Sequence, residues 1–85
     1  MKPSITELQT RADRVWVDGE MICIHLLDER EIRFPIARNR RLRKGTPEQV
    51  RHVELICNGT GLHWPDLDED LSVAGILDGR VGSAE

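Results

Sequence analysis

No C-x-x-C pair and no two histidines at metal-ligand spacing occur in this sequence, whose only cysteines are Cys23 and Cys57 and whose three histidines are scattered. A structural zinc centre needs four converging ligands, so none is expected. In a cytosolic chain two such cysteines read as buried free thiols acting as small apolar groups rather than as a disulfide. Long apolar runs are also missing. The longest, Met21 to Leu27, is interrupted by His25 and falls far below the roughly 20 residues that span a bilayer. No transmembrane segment is expected. The start, "MKPSITELQT", lacks the apolar stretch of a signal peptide, so the cytoplasm is the default compartment. Neither a Gly-x-Ser-x-Gly elbow nor a glycine-rich phosphate loop is found, which removes the common nucleophile and nucleotide motifs.

What is present is globular composition. Hydrophobic residues make up 39% of the 85 and charged residues 32%, so apolar content is adequate for a core and no block is polar enough to be wholly disordered. A chain this short forms one domain and buries only about 60 to 65% of its unfolded surface, which leaves a thin stability margin. Residues 1–12 read as an N-terminal extension, 13–79 as a single α+β domain and 80–85 as a frayed tail. The net charge of −3 conceals an asymmetry. Residues 1–45 carry ten cations and seven carboxylates, whereas residues 46–85 carry two and eight.

Along the chain, "DRVWVDGEMICIHLLDEREIRFPI" alternates apolar and polar positions at period two. Breaks at Asp18-Gly19 and at Asp28-Glu29-Arg30 divide it into a three-stranded antiparallel meander. Ile22, Ile24 and Leu26 then share one face, as do Ile32, Phe34 and Ile36, and all six belong in the core. Pro35 lacks an N–H for a ladder and marks an edge. "ARNRRLRKG" follows as a surface loop or helical turn anchored by Leu42. "TPEQVRHVELIC" has a full helix start, with Thr46 as N-cap, Pro47 at the first helical position and Gln49 completing a capping box. Its apolar stripe of Val50, Val53 and Cys57 would lie on the sheet, with Asn58 or Gly59 closing the helix in a left-handed conformation. A short strand, "LHWP", a turn, and a last helical segment capped by Ser72 and ended at Gly79 complete the chain.

The residues "DEREIRFPI" and "RLRKGTPEQVRHVELICNGTGLHWPDLDEDLSVAGILDG" resemble a widespread family of small bacterial domains of unknown function. The family is marked by a C-terminal His-Trp-Pro-x-Leu-Asp-Glu-Asp-x-Ser-Val motif. The resemblance covers roughly residues 14–79. It implies a small α+β fold and frequent occurrence beside another short gene in arrangements resembling toxin–antitoxin pairs, and it implies no known activity. Where members often carry aromatic residues and a proline, this chain has Ala37-Arg38-Asn39-Arg40, so charge stands where an apolar contact surface is usual.

Two groups of residues bear on function. The motif His63, Trp64, Pro65, Asp66, Asp68, Glu69 and Asp70 gathers an imidazole and four carboxylates. Asp66, Asp68 and Asp70 fit the first, third and fifth positions of a calcium loop, but Leu71 stands where glycine must be and Leu77 where a bidentate Glu is needed. No metal site is therefore expected. On a strand Leu62 and Trp64 face the core and His63 faces outward, while Asp66 and Asp68 organise the turn and Glu69 and Asp70 stay solvated or meet an arginine. The motif is thus mainly structural, and no catalytic residue is assigned. The second group is Arg38, Arg40, Arg41, Arg43 and Lys44. These cations fit contact with an acidic protein surface, with the chain's own acidic half in the same or a second copy, or with phosphates.

The leading expectation is a non-enzymatic protein-binding module without cofactor, antitoxin-like or regulatory, that docks a protein partner through the charged 37–44 loop and the acidic 66–70 turn, or self-associates. A nucleic-acid-contacting regulator using the same basic loop is the alternative, weakened by an acidic chain whose only aromatics are Trp16, Phe34 and Trp64. An enzyme using His63 stands third.

Overall fold

The computed structural model of the chain describes residues 4–82. It is an α+β fold with two three-stranded antiparallel sheets and four short helices. Among the described residues no helix is long and apolar enough to cross a membrane.

A helix α1 (Ile5–Thr10), capped by Ser4, leads into the first sheet, whose strands run in the order β1 (Ala12–Asp18), β2 (Met21–Leu26), β3 (Glu31–Pro35). This is the meander expected from the period-two pattern. Gly19, at φ +60, turns the first hairpin, and the Asp28 carboxylate accepts the Arg30 N–H at 3.1 Å in the second. Ile22, Ile24, Leu26 and Phe34 are buried, while Ile32 and Ile36 are half-buried against the same cluster. Pro35 ends the edge strand, exposed as expected. Cys23, on the opposite face of β2, is nonetheless buried where it pairs with Trp16 and Arg33, and that burial pushes its thiol up.

The second half departs from the sequence reading. The capping box at Thr46 and Gln49 forms, but the helix it starts, α3 (Pro47–Arg51), stops after five residues. Residues expected to continue it form a strand, β4 (Glu54–Ile56), which joins β5 (Gly61–Trp64) and β6 (Glu69–Ser72) in a second meander. A tertiary bond explains the stop. The Val50 carbonyl, which a continuing helix would offer to the Glu54 N–H, instead accepts the buried indole N–H of Trp64 at 3.1 Å. The stretch "HVEL" then alternates exposed and half-buried side chains at period two. Cys57 lies beyond the strand in a left-handed conformation (φ 53). It is exposed, contrary to the expected buried thiol, and both cysteines are free. The left-handed residues anticipated at Asn58 and Gly59 are there, but they close a strand rather than a helix.

The last helix, α4 (Val73–Leu77), has Ser72 as N-cap, its hydroxyl accepting the Gly75 N–H at 2.9 Å. Gly79 (φ +83) closes it with two backward bonds, Gly79 N–H to the Ile76 carbonyl and Arg80 N–H to the Gly75 carbonyl. That closure redirects the chain inward, so Val81, in the stretch expected to fray, is buried in the core. Residues 83–85 of that stretch lie outside the described residues. One core results, with Ile22, Ile24 and Phe34 from the first sheet meeting Leu62 and Trp64 from the second.

Candidate functional site

The motif residues Trp64 to Glu69 form a hairpin in which Pro65, Asp66, Leu67 and Asp68 make the loop and Trp64 pairs with Glu69. Strand alternation sends Leu62 and Trp64 inward, both fully buried, and leaves His63 on the outer face in register with Glu54 and Asp70. The three aspartates weighed as a calcium loop, Asp66 and Asp68 in the turn and Asp70 on β6, do not converge. Asp66 accepts from His52 Nδ1 at 2.7 Å, Asp70 accepts from His63 Nδ1, and Asp68 sits at φ 51 with its carbonyl accepting from Arg41. The Asp70 hydrogen bond raises the His63 pKa above its ordinary value. Partial burial opposes the rise, and the charges of Asp70, Glu54 and Asp68 add to it. His25 is paired in the same fashion with Asp13 at 2.7 Å, and that bond holds the Asp13 carboxyl below the usual range. Each of the three histidines thus donates Nδ1 to an aspartate.

Glu69 is not solvated, contrary to one of the two expectations for it. Its side chain lies on the inner face of β6, 7% exposed, where Asn39 Nδ2 donates to it at 2.9 Å. Asn39 is fully buried and is the residue that sequence reasoning missed. Its Nδ2 also donates to the Val81 carbonyl at 3.0 Å, and its Oδ1 caps α2 (Arg40–Lys44) by accepting the Leu42 N–H at 3.0 Å. One side chain therefore ties the basic segment, the acidic motif and the C-terminal turn together. The available signal was the Asn-x-x-Leu spacing of an N-cap before the Leu42 anchor.

The basic segment and the motif pack side by side. Leu67 fills the space beside Gly45 so closely that a Cβ there would come within 2.8 Å of its methyl group, and Arg41 reaches the turn backbone. Cations at 38–44 therefore divide by role. Arg41 is committed to the hairpin, whereas the side chains of Arg38, Arg43 and Lys44 are exposed and form neither hydrogen bond nor ion pair with any other described residue. Arg51 on α3 shares that condition. The remaining described arginines are engaged: Arg14 lies over the Trp16 ring at 5.2 Å, for example, and Arg33 contacts both Asp18 and Glu31.

A cleft of about 400 Å³ opens between the turn end of the first sheet and the α2–α3 segment. Val17, Met21, Ile36, Leu42 and Val50 supply apolar surface, and its charged lining residues are Arg43, Arg51 and Glu20, all exposed. Of the basic cluster only Arg43 lines it, beside Ala37. Neither the cleft nor Arg51 was legible in the sequence, because the lining comes from three separated segments.

Comparison with known proteins gives two kinds of likeness. The profile of a family described as protein of unknown function (DUF2442) matches residues 12–82. A crystal structure of a protein of unknown function from Rhodospirillum rubrum is 31% identical, with a TM-score of 0.79 over 86% of this chain and 90% of that one. The solution structure of an uncharacterised protein from Chromobacterium violaceum is 33% identical, with a TM-score of 0.74 over 87% of this chain and 70% of that one. No curated protein matches the chain.

Proposed function

The chain belongs to the DUF2442 family, and from its geometry we propose that it is a non-enzymatic protein-binding module of the cytoplasm, the antitoxin-like or regulatory member of a small gene pair. The observation that carries this reading is the distribution of unpaired charge. Among the described residues, cations without a partner are Arg43, Lys44 and Arg51 on α2 and α3, with Arg38 in the turn just before α2, beside a largely apolar cleft. A surface that leaves cations unpaired next to apolar area is equipped for an acidic partner, since charge complementarity speeds encounter and selects among partners. The acidic motif supports this surface from behind rather than docking on its own. Asp66 and Asp70 are held by His52 and His63, and Glu69 is turned inward.

Phosphate contact by the same cations is the second reading, favoured by their exposure on one short segment. It lacks a stacking platform. Phe34 and Trp64 are core, and Trp16 sits on the first sheet beneath Arg14. His63, though oriented by Asp70, has no free hydroxyl offered by the neighbouring strand, because Ser72 caps α4.

The test is purification of the tagged full chain from its native host at low salt, compared with Arg38→Glu, Arg43→Glu and Lys44→Glu together. The expected result is a protein in stoichiometric amount that is lost from the triple variant while the melting temperature holds. Retained nucleic acid that leaves at high salt, with no protein in stoichiometric amount, would overturn the reading in favour of phosphate binding.

A further inference from the structure

We infer that the cleft between the first sheet and the α2–α3 segment is an anchor pocket for one bulky apolar side chain flanked by carboxylates, presented by a segment of the partner protein. The inference rests on the protein-binding reading and adds which chemistry is recognised and where. Three observations carry it. The volume, about 400 Å³, falls in the range of pockets that enclose a ligand group, about 300 to 1,000 Å³. Its surface is apolar along Val17, Met21, Ile36 and Val50, which suits an aliphatic or aromatic side chain.

The third observation is charge. Arg43 and Arg51 line the cleft unpaired, and Arg38 and Lys44 adjoin it in sequence, against the single carboxylate Glu20. An occupant that covered two arginines without supplying carboxylates would leave desolvated cations uncompensated, a cost that acidic flanks remove. Glu20 limits the net attraction and disfavours a ligand that is anionic throughout, so an apolar centre with acids on its flanks fits better than a polyanion.

A second copy of this chain is the weaker occupant. Its own acidic turn is mostly engaged, with the Asp66 carboxylate on His52 and the Asp70 carboxylate on His63, so that within the turn Asp68 alone has a carboxylate to offer.

The experiment selects peptides for the folded full chain from a displayed library of random sequences, then measures the enriched peptides by calorimetry and maps them by amide chemical shifts. The expected consensus is Leu, Ile, Phe or Trp between Asp or Glu residues. Shifts should centre on Val17, Met21, Ile36 and Val50, and affinity should fall about tenfold or more when the anchor becomes Ala. Arg51→Glu and Ala37→Phe, both at exposed lining positions, should weaken binding by a similar factor without lowering the melting temperature. Enrichment of basic or purely polar peptides, shifts centred away from the cleft, or no enrichment at all overturns the inference. A concentration-dependent dimer whose shifts fill the cleft does so too, in favour of a second copy. If the native partner is lost from the Arg38, Arg43 and Lys44 triple variant but retained by Arg51→Glu and Ala37→Phe, docking stands and the anchor pocket falls.

Discussion

Asn39 offers the sharpest perturbation of the framework that holds the proposed surface. Replacing it by alanine removes the α2 cap, a change that costs about 0.5 to 2 kcal/mol. It also strips the Nδ2 donor from Glu69, a carboxylate 7% exposed, and from the Val81 carbonyl, and each buried acceptor left short costs about 1 to 3 kcal/mol. Allowing for relaxation and partial rehydration, Asn39→Ala should lose about 2 to 4 kcal/mol. A small domain holds only about 0.05 to 0.15 kcal/mol per residue, so this is a large share of the total. Asn39→Asp separates the two roles. Its carboxylate keeps the cap acceptor for Leu42 N–H but sets a negative charge against Glu69, so at neutral pH it should be at least as damaging as alanine. Because that pair is relieved by binding a proton, the folded state takes up protons that the unfolded state releases. Stability of Asn39→Asp should therefore rise as the pH falls toward the carboxylate range, and adding Glu69→Gln should restore much of it at neutral pH. Denaturant unfolding followed by circular dichroism and by Trp fluorescence measures all of these. An Asn39→Asp protein as stable as wild type, with no pH dependence of its own, would refute the buried Asn39–Glu69 link.

Trp64→Ala should cost about 3 to 5 kcal/mol in the same assay, since the ring is fully buried. Trp64→Phe should cost less while leaving the Val50 carbonyl without its donor, a loss of about 1 to 3 kcal/mol seen as weakened amide protection around α3. Gly59→Ala should destabilise by more than about 1 kcal/mol in thermal or denaturant melts, because the residue sits at φ +88 and a Cβ would overlap the Ala12 carbonyl. His63 carries a raised pKa in the fold, so its contribution is complete below its unfolded value and fades as pH rises through the folded one. His63→Gln should flatten that decline across the neutral range in a pH series of melts, and an unchanged profile would show that the Asp70 bond contributes nothing.

The first sheet was legible because its signal is local. Period-two alternation and the breaks around Gly19 and Asp28 decide the meander within adjacent residues, as do the caps at Thr46 and Ser72. The second sheet was hidden by two patterns superposed on one stretch. Val50, Val53 and Cys57 satisfy a helical stripe, while Val53 and Leu55 satisfy a strand, and the choice between them depends on the Trp64 indole fourteen residues away taking the Val50 carbonyl. Asn39 and Glu69 looked like surface residues for a related reason. Polarity argues for exposure unless a partner is near, and here the partner is thirty residues distant. The basic cluster was visible as composition. Which of its members are spent on the fold, as Arg41 is, and which remain unpaired depends on the hairpin packed against it.

Whether the unpaired cations on and just before the α2–α3 segment dock an acidic protein surface is decided by one equilibrium measurement. It is the affinity of the full chain for its copurified partner across a salt series, for wild type and for the Arg38, Arg43 and Lys44 triple reversal. Docking on an acidic surface gives a shallow salt dependence for wild type and an affinity at least about tenfold weaker for the variant, both proteins melting alike. Equal affinities for the two proteins would contradict it. So would tight binding to duplex DNA, with a log–log salt slope near −0.9 per phosphate contact that shrinks by about three units in the variant.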